Sequence, residues 1–365
     1  MSESLAGQDM EFPCPGCGAR LYFSADSNSL ECTHCGFREE IPRSSEEVVE
    51  HTFDEVATRR EIGWGVETRI SGCGSCGART AVESHVRSTT CPFCGSPQVD
   101  TTEAVEGVRP ESVIPFSVTE TEAVTAFQKW IQGLWLRPNA LQRLARLGTV
   151  QGVYIPHWTF DSLTQSFWSA ESGTYYTETE WYTDSEGERQ SRPVQKTRWE
   201  PASGSHRALF DDCLVHASRG VDVGLIRQIE PFHTEALVAY DPRFLAGWLA
   251  EDSQRTMREC WPDARTRMDE AIRNACIRKI PGDTHRGLSI RTRYLHPTCK
   301  LCLLPVWIAV YRYRRESYPC LVNGQTGEIH GKAPYSWIKV TFVVLIVLVL
   351  VFAILKSFDG AGVAF

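Results

Sequence analysis

Eight of the fourteen cysteines fall into two frames of one spacing, Cys14-x2-Cys17-x14-Cys32-x2-Cys35 and Cys73-x2-Cys76-x14-Cys91-x2-Cys94. A glycine follows every pair: Gly18, Gly36, Gly77 and Gly95. Four thiolates complete a tetrahedral shell around Zn²⁺, and a Cys-x-x-Cys turn aims two sulfurs at one ion. Glycine after each pair suits a backbone that turns back around the metal at positive φ. Each frame spans about thirty residues, too few to bury a core of its own, so metal binding must supply much of its folding free energy. The frames predict two zinc ribbons holding two structural Zn²⁺ ions. Four thiolates leave no open position on either ion for catalysis. His34, inside the Cys32–Cys35 turn, reads as a surface residue. Dithiol redox chemistry is not written as four pairs at fixed separation.

The far end of the chain is as informative. Val340 to Leu355 reads VTFVVLIVLVLVFAIL, with one threonine and no charge. Sixteen helical residues reach about 24 Å, a little short of a hydrocarbon core. Ile338 and the stem of Lys339 extend the run, and Lys356 closes it. A core helix would carry a polar face, and this segment has none. A single transmembrane helix over 338–356 is predicted, with a short tail at 357–365. The opening MSESLAGQDM is polar and shows no leader pattern. The expected arrangement is therefore tail-anchored, with most of the chain on one side. Thiolate zinc sites need a reducing compartment, which places that bulk in the cytoplasm.

The formal net charge is −7, and it is unevenly spread. Residues 1–100 carry sixteen Asp/Glu against eight Arg and no Lys. Nucleic-acid binders show a basic footprint, so the acidic ribbon segment argues against that class. The remaining segments imply one α+β domain over 111–335, following ribbons at 11–40 and 69–99 and a helical connector at 41–68. In the connector, Ser44 and Glu47 predict a capping box opening a helix over 44–60. Thr119 and Glu122 predict another, with Ala123, Phe127, Trp130, Ile131 and Leu134 along one stripe. A short helix is expected near Leu141–Leu147.

Alternating Trp, Tyr and Thr predict a hairpin of Thr174–Thr183 with Arg189–Trp199. Asp241-Pro242 and Trp261-Pro262-Asp263 read as helix starts, the second running to Lys279 with Met268, Ala271, Ile272, Ala275 and Cys276 inward. Strands are expected at Leu303–Tyr313, Tyr318–Val322 and Glu328–His330, the last two joined by an Asn323-Gly324 turn. The pattern apolar-apolar-Pro-x-Trp occurs at Tyr154–Trp158 and again at Leu303–Trp307, each proline expected to open a strand; coincidental strand starts are the expected reading, and a duplicated half-domain is the alternative. The fold class is α+β, rich in antiparallel strands.

Catalytic signatures are absent from the sequence. Lys332 lacks both the first glycine and the hydroxyl of a phosphate loop, and no Gly-x-Ser-x-Gly or His-Glu-x-x-His occurs. His206, Asp211, Asp212 and His216 read as strand and surface residues rather than ligands. Cys299 and Cys302 read as buried thiols at the start of a strand. A deep pocket with polar groups converging at His157, Asp161 or His206 would point to an enzyme in the middle domain.

The double ribbon, VIPF, GVYIPHWTFDS, LLPVWIAVYRY, VNGQTGEIHGKAP and the terminal apolar run together resemble a family of bacterial membrane-anchored zinc-ribbon proteins. Its members are described as transcription-factor-IIB-type zinc ribbons, or as primosomal protein N-prime, helicase-like. The second description implies an ATP motor, which this sequence lacks. The resemblance implies metal ligation at the eight cysteines above. It also implies a place at the bacterial cytoplasmic membrane and partners among SPFH (flotillin-like) or phage-shock-type membrane-stress proteins. The expected function is a non-enzymatic adaptor or scaffold recruiting protein partners, the alternative being a nucleic-acid-binding ribbon protein of replication or transcription type.

Overall fold

The computed structural model describes residues 12–42, 48–58, 69–82, 88–99, 108–138, 141, 150–183, 185, 187–314 and 316–361. The first ribbon is an antiparallel sheet of β1 (Leu21–Ser24), β2 (Ser29–Cys32) and β3 (Arg38–Glu40). β4 (His51–Thr52) leads into α1 (Phe53–Thr58). This helix starts later than the sequence suggests. Thr52 and Glu55 bond reciprocally at its N-terminus, at 2.8 and 3.4 Å, and residues 43–47 with the expected Ser44–Glu47 box lie outside the described residues. The second ribbon contributes β5 (Arg69–Gly72), β6 (Arg79–Val82), β7 (Ser88–Thr90) and β8 (Pro97–Val99).

The body begins with β9 (Ser112–Val113) and α2 (Glu120–Gly133). Thr119 and Glu122 form the expected capping box, and Ala123, Phe127 and Ile131 are buried with Trp130 and Leu134 beside them. Leu141 is buried; the rest of the helix expected there lies outside the described residues. Then come β10 (Val150–Thr183), β11 (Arg189–Phe210), β12 (Val215–His216), α3 (Val223–Gln228), β13 (Val238–Ala239) and β14 (Leu249–Glu251). Asp241 caps a 3-10 turn at Pro242–Leu245. α4 (Met257–Ile277), β15 (Thr284–Tyr313), β16 (Glu316–Asn323), β17 (Ile329–Gly331) and α5 (Trp337–Ala361) follow.

Among the described residues, twelve strands form one sheet, with the path β13-β9-β15-β10-β14-β6-β5 and the others pairing off it. The long antiparallel pair β10 and β15 is its spine. From Val150 to Phe160 the spine is buried on nearly every residue, because helices and loops cover both faces. Beyond Ser162, β11 joins, giving a three-stranded ribbon that ends where Gly173 meets Thr284. The β10–β11 hairpin then continues alone, pairing to Thr183 with Arg189. The expected hairpin is thus present but is only the tip of a longer arm. At about 3.3 Å per strand residue, the 34 residues of β10 follow a path on the order of 100 Å.

Two halves of the body repeat one plan. Pro156 and Pro305 do not open strands; both sit within the spine. Each lies where one short neighbour ends and another begins. Beside β10, β14 pairs in parallel at Val153–Tyr154 and β12 antiparallel at His157–Trp158. Beside β15, β9 pairs in parallel at Cys302–Leu303 and β16 antiparallel from Val306. A missing amide costs little in such a gap, and each proline carbonyl still accepts an N–H, from Ala217 at 3.0 Å and Gly324 at 2.9 Å. Trp158 Nε1 donates to Arg255 O and Trp307 Nε1 to Val118 O, both at 2.9 Å. Those acceptors immediately precede Thr256 and Thr119, the capping-box residues of α4 and α2. The sequence echo therefore marks equivalent positions in a repeated strand–helix–strand–strand unit.

Three local expectations change. α4 starts at Met257 because the Thr256–Glu259 capping box is stronger than the Trp261-Pro262 signal, and Pro262 falls inside the helix on an exposed position. Its buried stripe is Met257, Cys260, Ala264, Met268, Ile272 and Cys276, while Ala271 faces outward. The β16–β17 turn is wider than a two-residue Asn-Gly turn. Gly327 takes the positive φ (81°), and the Asn323 side chain accepts from the amides of Gln325 (2.9 Å) and Thr326 (3.0 Å).

Candidate metal centres

All four Cys-x-x-Cys-Gly segments fold into one turn. The glycine amide donates to the carbonyl of the first cysteine: Gly18 to Cys14 and Gly77 to Cys73 at 2.8 Å, Gly36 to Cys32 and Gly95 to Cys91 at 2.9 Å. The four glycines have φ of 75°, 76°, 77° and 69°. A Cβ at Gly18, Gly36 or Gly77 would meet nothing within 4 Å. Backbone conformation, not space, is what calls for glycine there.

The turns meet in pairs and bring together Cys14, Cys17, Cys32 and Cys35 in one cluster and Cys73, Cys76, Cys91 and Cys94 in the other. Sγ separations are 3.4 Å for Cys14–Cys35, 3.5 Å for Cys17–Cys32, 3.6 Å for Cys73–Cys94 and 3.7 Å for Cys76–Cys91. A tetrahedron of sulfurs about 2.3 Å from a central Zn²⁺ has edges of about 3.8 Å. The fit is close, and all eight thiols are free of disulfide bonds. The amides of Cys35 and His34 point at Cys32 and hold its thiol below the ordinary range. Ser96 Oγ lies 3.2 Å from Cys73 Sγ and 3.0 Å from Cys94 Sγ, an outer hydrogen-bonding partner for that centre. His34 is exposed and belongs to neither cluster.

The two centres join the body differently. In the first ribbon, the Phe23 ring meets Phe244 edge-on at 5.4 Å, and Phe23 N donates to Ala246 O at 2.9 Å. Trp248 Nε1 donates back to Phe23 O at 2.9 Å. In the second ribbon, β6 pairs with β14 (Ala250↔Ala81, Glu251↔Thr80), so β5 and β6 are strands of the main sheet. Arg79 Nη2 reaches Asp252 Oδ2 at 3.3 Å. Gly220 permits the close approach, since a Cβ there would lie 2.5 Å from the Cβ of Ala78.

A third group of ligand-type side chains was not legible in the sequence. Glu50, Asp161, Asp211 and Asp212 converge from three distant segments. The Lys300 ammonium already serves them as a cation, 2.6 Å from Asp212 Oδ1 and 3.0 Å from Glu50 Oε1. Burial, and then hydrogen bonding to Glu50, push Asp161 up to about 8, while Glu50 is held down to about 2 by the Asp161 hydrogen bond. Asp211 and Asp212 are therefore cluster members rather than simple surface residues, although Asp211 is exposed.

His216 is also not a surface residue. It is 3% exposed and faces His157, itself 2% exposed, with ring centroids 5.1 Å apart. Burial holds His157 down to about 4 and His216 well below the usual imidazole range. His157, Asp161 and His206 do not converge: the first pairs with His216, the second joins the acidic group, and the third lies on β11. Cys299 and Cys302 sit mid-strand in β15, on opposite faces and in different core clusters. Burial raises both thiols, Cys299 to about 12, which suits packing rather than ligation.

The segment Trp337–Lys356 is helical, long and apolar enough to cross a membrane, and unburied throughout. No protein-family model matches this chain. No solved structure matches it either. It is similar to the uncharacterized protein YdjG of Bacillus subtilis (strain 168), with 28% identity over 347 residues spanning 91% of this chain and 92% of that one.

Proposed function

We propose that this chain is a non-enzymatic, tail-anchored adaptor of the bacterial membrane-anchored zinc-ribbon type, held at the cytoplasmic face of the membrane and recruiting protein partners. The carrying observation is the pairing of two closed four-thiol clusters with an uncovered apolar helix, Trp337–Lys356. Soft thiolates in tetrahedral array select zinc among common divalent ions. Each ion would be held by its four cysteines and would supply folding free energy. The reducing conditions that keep the thiolates free favour the cytoplasm for the body.

The surface that suits partner capture is the β10–β11 arm. Tyr175, Tyr176, Trp181 and Tyr182 are exposed along it. Arg189 stacks over Trp181 at 5.2 Å and Arg192 over Tyr182 at 5.3 Å. Exposed aromatic and arginine side chains are the typical anchors of protein interfaces. SPFH or phage-shock-type proteins are the partners the family resemblance favours. Tethering in a thin layer raises their effective concentration.

A crosslinking pull-down from native membranes tests this reading, comparing the full chain with Trp181→Ala and with Cys91→Ser. Membrane-associated proteins captured by the full chain and lost with either variant support it. Capture of nucleic acid, with a steep salt dependence, would replace it with the replication or transcription reading.

A further inference from the structure

We propose that the loop 134–138, with Trp135 at its tip, is a phospholipid-binding surface that lies in the headgroup layer beside the start of α5 and holds the body against the bilayer. The inference rests on the reading of α5 as a membrane span. Three polar contacts tie the loop to the first turn of that helix. Ser336 N donates to Leu136 O at 3.0 Å. Lys339 Nζ donates to Trp135 O and to Arg137 O, each at 2.9 Å. Arg137 returns the contact by donating to Ala333 O, and its guanidinium stacks 3.5 Å over the Tyr335 ring.

These contacts fix a depth. Lys339 lies inside the apolar stretch that starts at Trp337. An ammonium at that level is costly unless its donors are satisfied, and here two of the three are taken by loop carbonyls. Wherever α5 enters the bilayer, the carbonyls of residues 135 and 137 enter to the same level as Lys339 Nζ. The side chains around them have the chemistry of an interfacial belt. Trp135 is 66% exposed, Tyr335 59% and Trp337 79%, with Arg137 over one face of the Tyr335 ring. Tryptophan and tyrosine favour the headgroup level, where one edge is apolar and the other wet. Trp135 comes from the body, some 200 residues before the span in sequence (339 against 135). The body is therefore docked on the lipid rather than swinging from a flexible stalk. The strand end near Val150 is held close to the bilayer, because β17 and α5 follow directly from β16, which pairs with that end of β15.

The test places the photo-reactive residue p-benzoylphenylalanine at Trp135, at Trp337 or at Trp181 in the full chain. Each chain is reconstituted into vesicles of phosphatidylethanolamine and phosphatidylglycerol, irradiated, and its peptides weighed. The expected result is phospholipid adducts at 135 and 337, at least about tenfold above those at 181 on the arm. Alkaline carbonate extraction of the same vesicles separates the two readings. Retention in the pellet with no adduct at 135 overturns the docking surface and leaves the span intact. Adducts from 135 to protein alone overturn it in favour of a protein-binding loop. Release into the supernatant overturns the span and the docking surface together.

Discussion

The first ribbon keeps its own three-stranded sheet and leans on the body through Phe23, whereas the second gives β5 and β6 to the twelve-stranded sheet. Their cysteine spacing is identical, so the metal frame does not decide how a ribbon attaches. The residues around it do. Ribbon one packs the Phe23 ring against Phe244, and its Phe23 carbonyl accepts from Trp248 Nε1. Ribbon two places Arg79 and Thr80 at an edge that continues into β14. One motif serves as a docked module in the first case and as part of the framework in the second. Loss of metal should therefore have different reach in the two.

The largest expected contrast is between Cys91→Ser and Cys32→Ser. Each should lose one zinc ion. Cys91→Ser should also cost the whole body several kcal/mol, because β6 closes the ladder beside β14. Urea unfolding followed by tryptophan fluorescence reads this, and equal losses in the two variants would break the contrast. Next, Phe23→Ala removes the aromatic contact of ribbon one and should cost about 3 kcal/mol. Hydrogen exchange should rise across residues 12–42 only, with both metal ions retained.

A smaller effect is expected from acid. His157 packs against Phe232, in the cluster that also holds Cys73 and Cys91 beside ribbon two. Its imidazole is held down to about 4 by burial, against an ordinary value near 6.5. A depressed pKa means that its stabilising contribution is full above pH 6.5 and is lost as pH falls toward 4. His157→Gln should flatten that decline by about 3 kcal/mol in acid melts. An unchanged slope would show that the buried imidazoles do not govern it. The smallest contrast is kinetic. Cys17 and Cys35 are exposed while Cys76 and Cys94 are half-buried, so a chelator should strip zinc in two phases. Cys17→Ser should remove the faster one.

What the sequence revealed follows the range of the interactions involved. Each metal frame is a local signal, because two tight turns and four sulfurs fall within one short segment. The Thr119–Glu122 box was equally legible, since its two bonds span three residues. Longer-range features were not. The arm looked like a short hairpin because nothing in Ser162–Gly173 states that both β11 and β15 will flank it. The acidic group around Lys300 joins Glu50 to Asp161 and Asp212, and only the sheet brings these segments together. Pro156 and Pro305 misled because proline normally marks a strand end, whereas here each fills a gap between two short neighbours. The Tyr154–Trp158 and Leu303–Trp307 echo was real, but its meaning lay in the pairing of both segments with equivalent partners.

The most direct test of the central claim is the metal content of the full chain, purified under reducing conditions in mild detergent. Native mass spectrometry with elemental analysis should find two zinc ions per chain, one for each four-cysteine cluster. Fewer than two ions in folded protein, or a chain whose clustered cysteines are disulfide-bonded, would contradict the account.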